Sequence, residues 1–477
     1  MMRLAKLPPV SLRGPRPVPL LGTMGSFLRF FGDPVKQLLA VHRDHGTLAT
    51  LADRDPAVVL AFAPEHNRTV LHDAVKFTHE ADLPVPVPPD SAPTRLNNAL
   101  TSMNGDLHRR HRRLMMPVFS RAGVERYAPE MVALTESFLR RLHAGATVDA
   151  AAEMIELTLH IAMKCLFGLD LGSEAEALGR LGLGYLTGLT SPAAMFFPFR
   201  LPGTPYRRFL DVSDELELRV RALIAARRAQ PAGKDDVLSI LIRARDDESG
   251  AGLTDGELVG HAAVLFIAGH ETTAFTLSWT LFLLAQHPEV MRELVEELDA
   301  VLADAPVTVD QLAALPRLDR VVKESMRLLP ATAFLFFRRA VEPFSLGGHA
   351  LPAGAITMHS ALVTHRLPDL YPEPRRFLPD RWKDLTPAPY AYLPFGAGPR
   401  TCIGATFAAQ VVRLVLATTL RRFGLALAPG ADISRKVQGI TLGMKHGLPV
   451  RLLPRGGRGP VVKVTGDIGD LVELPQA

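Results

Sequence analysis

One cysteine in this chain stands where its sulfur can become an anion. Phe395-Gly396-Ala397-Gly398-Pro399-Arg400-Thr401-Cys402-Ile403-Gly404 is a glycine-broken loop that delivers Cys402 to the start of an apolar helical stretch, roughly Ile403 to Phe423. The first backbone N–H groups of a helix lack intrahelical partners and carry the positive end of its dipole, so they favour a thiolate over a thiol. A thiolate is a metal ligand. Gly396, Gly398 and Gly404 carry no Cβ, which permits tight turning and close approach of backbone to a flat ligand. Arg400, two residues before the sulfur, is placed to reach an acidic group on that ligand. The competing reading is a small buried hydrophobe, the usual state of a lone cysteine.

A second chemical signal lies far upstream. Thr254-Asp255-Gly256-Glu257 is a capping box with Leu253 and Leu258 as its staple, and the helical pattern that follows runs to Gln286 before His287-Pro288 ends it. Such a helix, about 33 residues, spans roughly 50 Å. In its middle stands Ala268-Gly269-His270-Glu271-Thr272-Thr273, a polar island in an apolar helix. A membrane span would leave Glu271 and His270 unpaired in lipid, which is costly. A plain core helix leaves Glu271 without a reason, because a buried carboxylate needs a partner or a job.

Phe395, Gly398, Arg400, Cys402 and Gly404 fill every specified position of the haem-binding signature of the cytochrome P450 family, which the chain resembles from about Pro15 to Leu453. The resemblance implies a mainly α cytochrome P450 fold with a small β component, holding haem b with Cys402 as the axial iron ligand. Phe395 and Gly404 then border the cofactor. It identifies the central polar island with the oxygen-activation segment, in which Ala268 and Gly269 leave room for O2 and permit a π-type loosening of the helix, Glu271 relays protons from solvent, and Thr272 presents its hydroxyl to the reduced oxygen. It also implies a structural network in which Glu324 and Arg327, at i and i+3, pair with Arg376 of a downstream motif formed by Pro374-Arg375-Arg376-Phe377 and Pro379-Asp380-Arg381-Trp382. Without the resemblance, Glu324 and Arg327 read as an ordinary surface pair.

Haem carries two propionates, and the resemblance places His108 and Arg112 on them, with Arg338 and Arg400 as further contacts. Arg338 is preferred over its neighbour Arg339 by spacing to Gly347-Gly348. The basic run Gly105 to Arg113 would otherwise suit a nucleic-acid or membrane surface. Arg109, Arg110 and Arg113 are expected on the face where a redox partner docks. The chain holds no GxGxxG fingerprint, no flavin domain and no cysteine set for an iron–sulfur cluster, so electrons are expected from NAD(P)H through a ferredoxin or flavodoxin and its reductase.

The elements that position these residues are mostly helical from about residue 120. Gly46 to Leu51 and Ala57 to Phe62 alternate as paired strands, and later strands are expected around Phe344 to Leu351 and Val450 to Leu453. Residues 1–40 are proline-rich and predict an extended surface segment; Leu83 to Pro93, with five prolines, and Phe196 to Pro205 predict long loops. No linker or repeat divides the 477 residues, so one domain is expected, with residues 455–477 unassigned.

Two cysteines, Cys165 and Cys402, form no disulfide framework, and residues 1–9 lack the apolar run of a signal peptide or anchor. A cytoplasmic monomer without nucleic acid or membrane anchor follows. The net charge of +5, spread over 54 basic and 49 acidic residues, is mild. Candidate pocket walls are Leu83 to Pro93, Phe196 to Phe199, Leu265 to Ala268, Ala331 to Leu335 and Leu442 to Met444, mostly apolar, which suits a lipid-like, terpenoid or polyketide substrate. The expected reaction is monooxygenation by O2. Its rivals are a peroxygenase, isomerase or dehydratase, against which Glu271-Thr272 argues, and a non-enzymatic basic helical binding protein.

Overall fold

The computed structural model describes residues 6–80, 83–170, 172–229, 235–246, 248–302 and 306–476. Its spine is the central helix Asp255–Gln286, 32 residues long. Thr254 Oγ1 accepts from the Glu257 N–H and the Glu257 carboxylate accepts from the Thr254 N–H at 2.7 Å, so the expected capping box is built. From Thr273 to Gln286 all but one residue are buried, which is why this helix is apolar all round rather than amphipathic. Glycines set how closely it packs. A Cβ on Gly260 would strike the Asn98 carbonyl, and one on Gly269 would lie 3.0 Å from Leu166 on the neighbouring helix Ala150–Phe167. Gly269 therefore lets these two helices approach, in addition to the room for O2 expected of it.

A five-stranded sheet lies to one side, in the order Leu48–Ala52, Asp55–Ala61, Ile356–His359, Arg338–Ala340, Phe77–His79. Its first pair is antiparallel, as the alternation in sequence predicts, and Val58↔Ile356 sets a parallel register with a strand nearly 300 residues later. The sheet's last pair opposes His79 to Arg338. Phe344–Leu346 and His349–Leu351 form a hairpin, and Pro449–Pro454 pairs with both Phe423–Leu427 and Thr147–Asp149.

Two expectations change. Residues 1–40 are not wholly extended: helices run from Gly22 to Gly32 and from Pro34 to His45. Pro34 occupies the first helical position, where proline's fixed φ starts a helix instead of breaking one, and Asp33 caps it through the Lys36 N–H at 3.1 Å. Helices therefore precede residue 120 throughout, including the basic helix Gly105–Phe119.

Residues 455–476, unassigned from sequence, are strapped across the body. Ile468, Leu471 and Val472 are fully buried, Val462 exchanges two hydrogen bonds with Gln286 at the end of the central helix, and the Glu473 N–H donates to the Arg375 carbonyl at 2.9 Å.

Candidate functional site

The cysteine loop is folded by its own backbone. The Cys402 N–H donates to the Phe395 carbonyl at 2.8 Å and the Thr401 N–H to the Gly398 carbonyl at 3.0 Å. Gly396 and Gly398 have φ of 69° and 70°, the left-handed region open chiefly to glycine, and a Cβ on Gly398 would strike the Leu71 carbonyl. The helix that follows, Ala405–Arg422, begins two residues later than the sequence suggested. Cys402 retains accessible surface, yet burial is the largest influence on its thiol and pushes it up, against the Gly404 N–H and the Arg112 charge. Both hold only if the sulfur borders an interior opening. The helix start alone therefore does not make Cys402 a thiolate; a metal, by displacing the proton, would.

The central helix opens at the same depth of the sequence pattern that flagged it. Ile267 to Thr272 keep accessible surface in a helix otherwise largely buried, with Ala268 the most exposed. The helix remains regular α through this window, so the expected π-type loosening is not formed. Hydroxyls satisfy themselves on the preceding turn: Thr272 Oγ1 donates to the Ala268 carbonyl at 3.0 Å, and Thr276 Oγ1 to the Thr272 carbonyl at 3.0 Å. His270 Nδ1–H donates to the Phe266 carbonyl at 2.9 Å and burial holds its ring neutral. Burial raises the Glu271 carboxyl above its ordinary range, and the charge of Lys436 opposes that rise.

Cations gather beside the cysteine. His108 and Arg112 come from the basic helix, Arg338 from the sheet and Arg400 from the cysteine loop; burial first, and then the neighbouring arginines, lower His108 to about 4 and Arg338 and Arg400 to about 10. Arg112 is lowered too, by burial, and the Cys402 charge offsets this. Among the described residues no carboxylate pairs with any of the four. Arg400 instead donates to Asn104 Oδ1 at 2.7 Å and to the Leu100 carbonyl at 3.3 Å, while Arg338 donates to the Phe336 and Phe337 carbonyls. Arg339 is committed to Glu80 at 2.7 Å and lies outside the cluster. A thiol that keeps accessible surface, beside Arg112, Arg338 and Arg400 with no carboxylate pairing them among the described residues and with a neutral His108 among them, fits a ligand carrying a metal and two carboxylates.

Behind the loop, Glu324 and Arg327 of the helix Pro316–Leu328 are both fully buried and bidentate at 2.9 Å. Arg376 does not complete this pair. Its side chain takes Glu373 at the surface, and only its carbonyl accepts from Arg327, at 3.1 Å. The third side chains are Arg381, at 3.0 Å from Glu324, and Trp382, whose indole N–H donates to it at 2.9 Å. The reason is reach: the backbone of residues 374–376 itself caps Arg327, which turns the Arg376 side chain outward, whereas the 3-10 turn Pro379–Lys383 aims Arg381 and Trp382 inward. His365 then links pair to loop, donating Nδ1–H to the Arg327 carbonyl and accepting the Leu393 N–H at 2.7 Å.

Asn104, His79 and His365 were not singled out from sequence. Pro379-Asp380-Arg381-Trp382 belongs to the same motif resemblance as residues 374–377, but the network role was expected of Arg376; for His79 only strand register reveals the pairing with Arg338. The outward arginines are partly engaged: Arg113 pairs with Asp246 at 2.8 Å, Arg109 with Asp106, and Arg110 donates to the Gly252 carbonyl.

No helix among the described residues is long and apolar enough to cross a membrane. The family model described as cytochrome P450 matches residues 12–449. The chain is 33% identical over 430 residues to cyclooctat-9-en-7-ol 5-monooxygenase of Streptomyces melanosporofaciens, covering 88% of this chain and 90% of that one. It is 34% identical over 355 residues to pentalenene oxygenase of Streptomyces avermitilis, covering 73% and 78%. Among solved structures, retinoic acid-bound cyanobacterial CYP120A1 superposes with a TM-score of 0.80 at 27% identity, over 93% of this chain and 100% of the other. The chain belongs to the cytochrome P450 family and is a haem-thiolate monooxygenase of hydrophobic small molecules.

Proposed function

We propose that this monooxygenase oxidises a terpenoid-like hydrocarbon skeleton at a C–H or C=C bond, with electrons from NAD(P)H through a ferredoxin or flavodoxin and its reductase, and that it works as a cytoplasmic monomer. The observation that carries this reading is the open window at Ala268 to Thr272, an acid and an alcohol set in an otherwise buried apolar helix. The two oxygenase relatives named above are 33% and 34% identical to it over 430 and 355 residues.

Haem, when bound, supplies a redox-active iron that activates O2. Cys402 would hold the iron from the loop; His108, Arg112, Arg338 and Arg400 would hold the propionates, and Phe395, Gly404 and Ala268 would border the ring. These four basic residues are brought together by three separate elements, so the cationic group is assembled by the fold rather than by one motif.

Glu271 holds a proton more readily than an exposed glutamate because burial disfavours its charged form, which suits a group that must pick up and release protons. Thr272 lies one residue on, with its hydroxyl parked on the Ala268 carbonyl and free to rotate toward the opening. Of the expected apolar walls, Phe334 and Leu442 are fully buried core, while Ile267, Ala268, Ala331 and Leu335 keep accessible surface and are the ones available to orient a hydrocarbon. Glu324, Arg327, Arg381 and Trp382 serve folding and cofactor retention.

The test is turnover of cyclic sesquiterpenes and diterpenes under 18O2 with NADPH, ferredoxin and reductase. Product carrying one 18O atom is expected. Turnover with peroxide alone, and none with the electron-transfer chain, would assign the peroxygenase reading instead.

A further inference from the structure

The stripe of the central helix that carries Glu271 is docked on the hairpin Arg435–Gln438/Thr441–Met444, and the two match turn by turn. Trp279 Nε1–H donates to the Leu442 carbonyl at 2.9 Å. One turn earlier, Phe275 presses on Gly443 so closely that a Cβ there would lie 2.6 Å from the ring, so only glycine lets the helix seat. One turn earlier again is Glu271. On the hairpin, Lys436 is the register partner of Gly443. Directly opposed residues of an antiparallel pair project from the same face, so Lys436 leaves the hairpin on the face that meets Phe275.

The hairpin is fixed in that position. The Leu442 N–H donates to the Ala331 carbonyl at 2.8 Å and the Ala333 N–H to the Ile440 carbonyl at 2.9 Å. Arg435, beside Lys436, is buried and bound to Asp33, Asp467 and Asp470, which leaves Lys436 as the exposed cation of that strand. Among the described residues the other elements at this turn present no charge to Glu271: Gly269 meets Leu166, His270 is neutral and bonded to the Phe266 carbonyl, and the segment after residue 330 offers Ala331 and Thr332. Among the described residues, Lys436 is the charged group that acts on Glu271, and it does so without a direct hydrogen bond.

We propose that Lys436 is a positioning residue, whose ammonium draws the Glu271 carboxylate toward the hairpin and guards the solvent end of the path by which Glu271 takes up protons. This rests on the reading of Glu271 as a proton carrier. The charge at position 436 tunes how readily the acid releases its proton, while the glycine opposite supplies the close approach.

The experiment is infrared titration of the protonated carboxyl band of Glu271, assigned by its loss in Glu271→Gln, in the haem-loaded protein and its Lys436→Met and Lys436→Arg variants. Lysine's charge favours the carboxylate, so Lys436→Met is expected to move the titration upward by about one pH unit and Lys436→Arg to leave it in place. An unmoved titration in Lys436→Met overturns the pairing. The alkaline limb of coupled product formation, where Glu271 loses its proton, should shift the same way. An infrared shift without that movement would retain the electrostatic contact and overturn its part in proton uptake, and with it the role given to Glu271. Lys436 is exposed, so its variants should fold, and an unchanged haem band checks this.

Discussion

The Glu324 carboxylate binds Arg381 at 3.0 Å, while Arg376, five residues earlier, spends its side chain on Glu373 at the surface. Glu324 accepts in all from Arg327, Arg381, Trp382 and the Leu378 N–H, and so gathers the segment that leads into the cysteine loop around one buried charge.

Removing a partner from such a group strands the charge. Glu324→Ala should lower stability by about 3–5 kcal/mol and Arg381→Ala should follow in the same direction, with haem lost on gel filtration. Arg376→Ala should leave the melting temperature and haem content unchanged. Thermal denaturation of the three variants checks the ranking.

Acid should unfold the protein through buried histidines. Burial pushes His261, His359 and His365 down to about 3, below the ordinary value of about 6.5 that they regain on unfolding. Between those values the unfolded chain binds more protons, so stability is complete above about pH 6.5 and falls as pH drops, by about 1.4 kcal/mol per unit for each histidine. His261 also meets His111 at 2.8 Å, where a second proton would place two cations in contact. Urea denaturation across pH 5 to 7 measures the slope; His365→Gln should reduce it.

Thr272→Ala should leave haem binding intact and uncouple turnover, so that electrons from NADPH leave as hydrogen peroxide rather than as product. Glu271→Gln should slow product formation by about 10²–10⁴-fold, the range for loss of a positioned proton donor. Peroxide yield per NADPH oxidised separates the two, and unchanged coupling in Thr272→Ala would remove that hydroxyl from proton delivery.

The strap should be structural. Leu471→Ala removes a fully buried side chain and should cost about 2–5 kcal/mol, with limited proteolysis opening the chain near residue 455.

Local signals were the legible ones. The capping box of the central helix, its end at His287-Pro288, the glycine-bounded cysteine loop and the strands at 48–61 all follow from neighbours in sequence, and the structure forms each. What escaped depends on long-range register. His79 meets Arg338 only because two strands 259 residues apart pair, and Arg381 displaces Arg376 only because backbone carbonyls of 374 and 376 occupy Arg327. The helix at Pro34 was hidden by composition, since proline reads as a breaker until its position within the first turn is known.

The ferrous–carbon monoxide absorption spectrum of the purified protein and of Cys402→Ser tests the central claim most directly. The parent protein should show the long-wavelength band of sulfur-ligated haem, and Cys402→Ser should lose it. A parent spectrum of nitrogen-ligated haem, or a band that survives in Cys402→Ser, would contradict the assignment of Cys402 as the ligand.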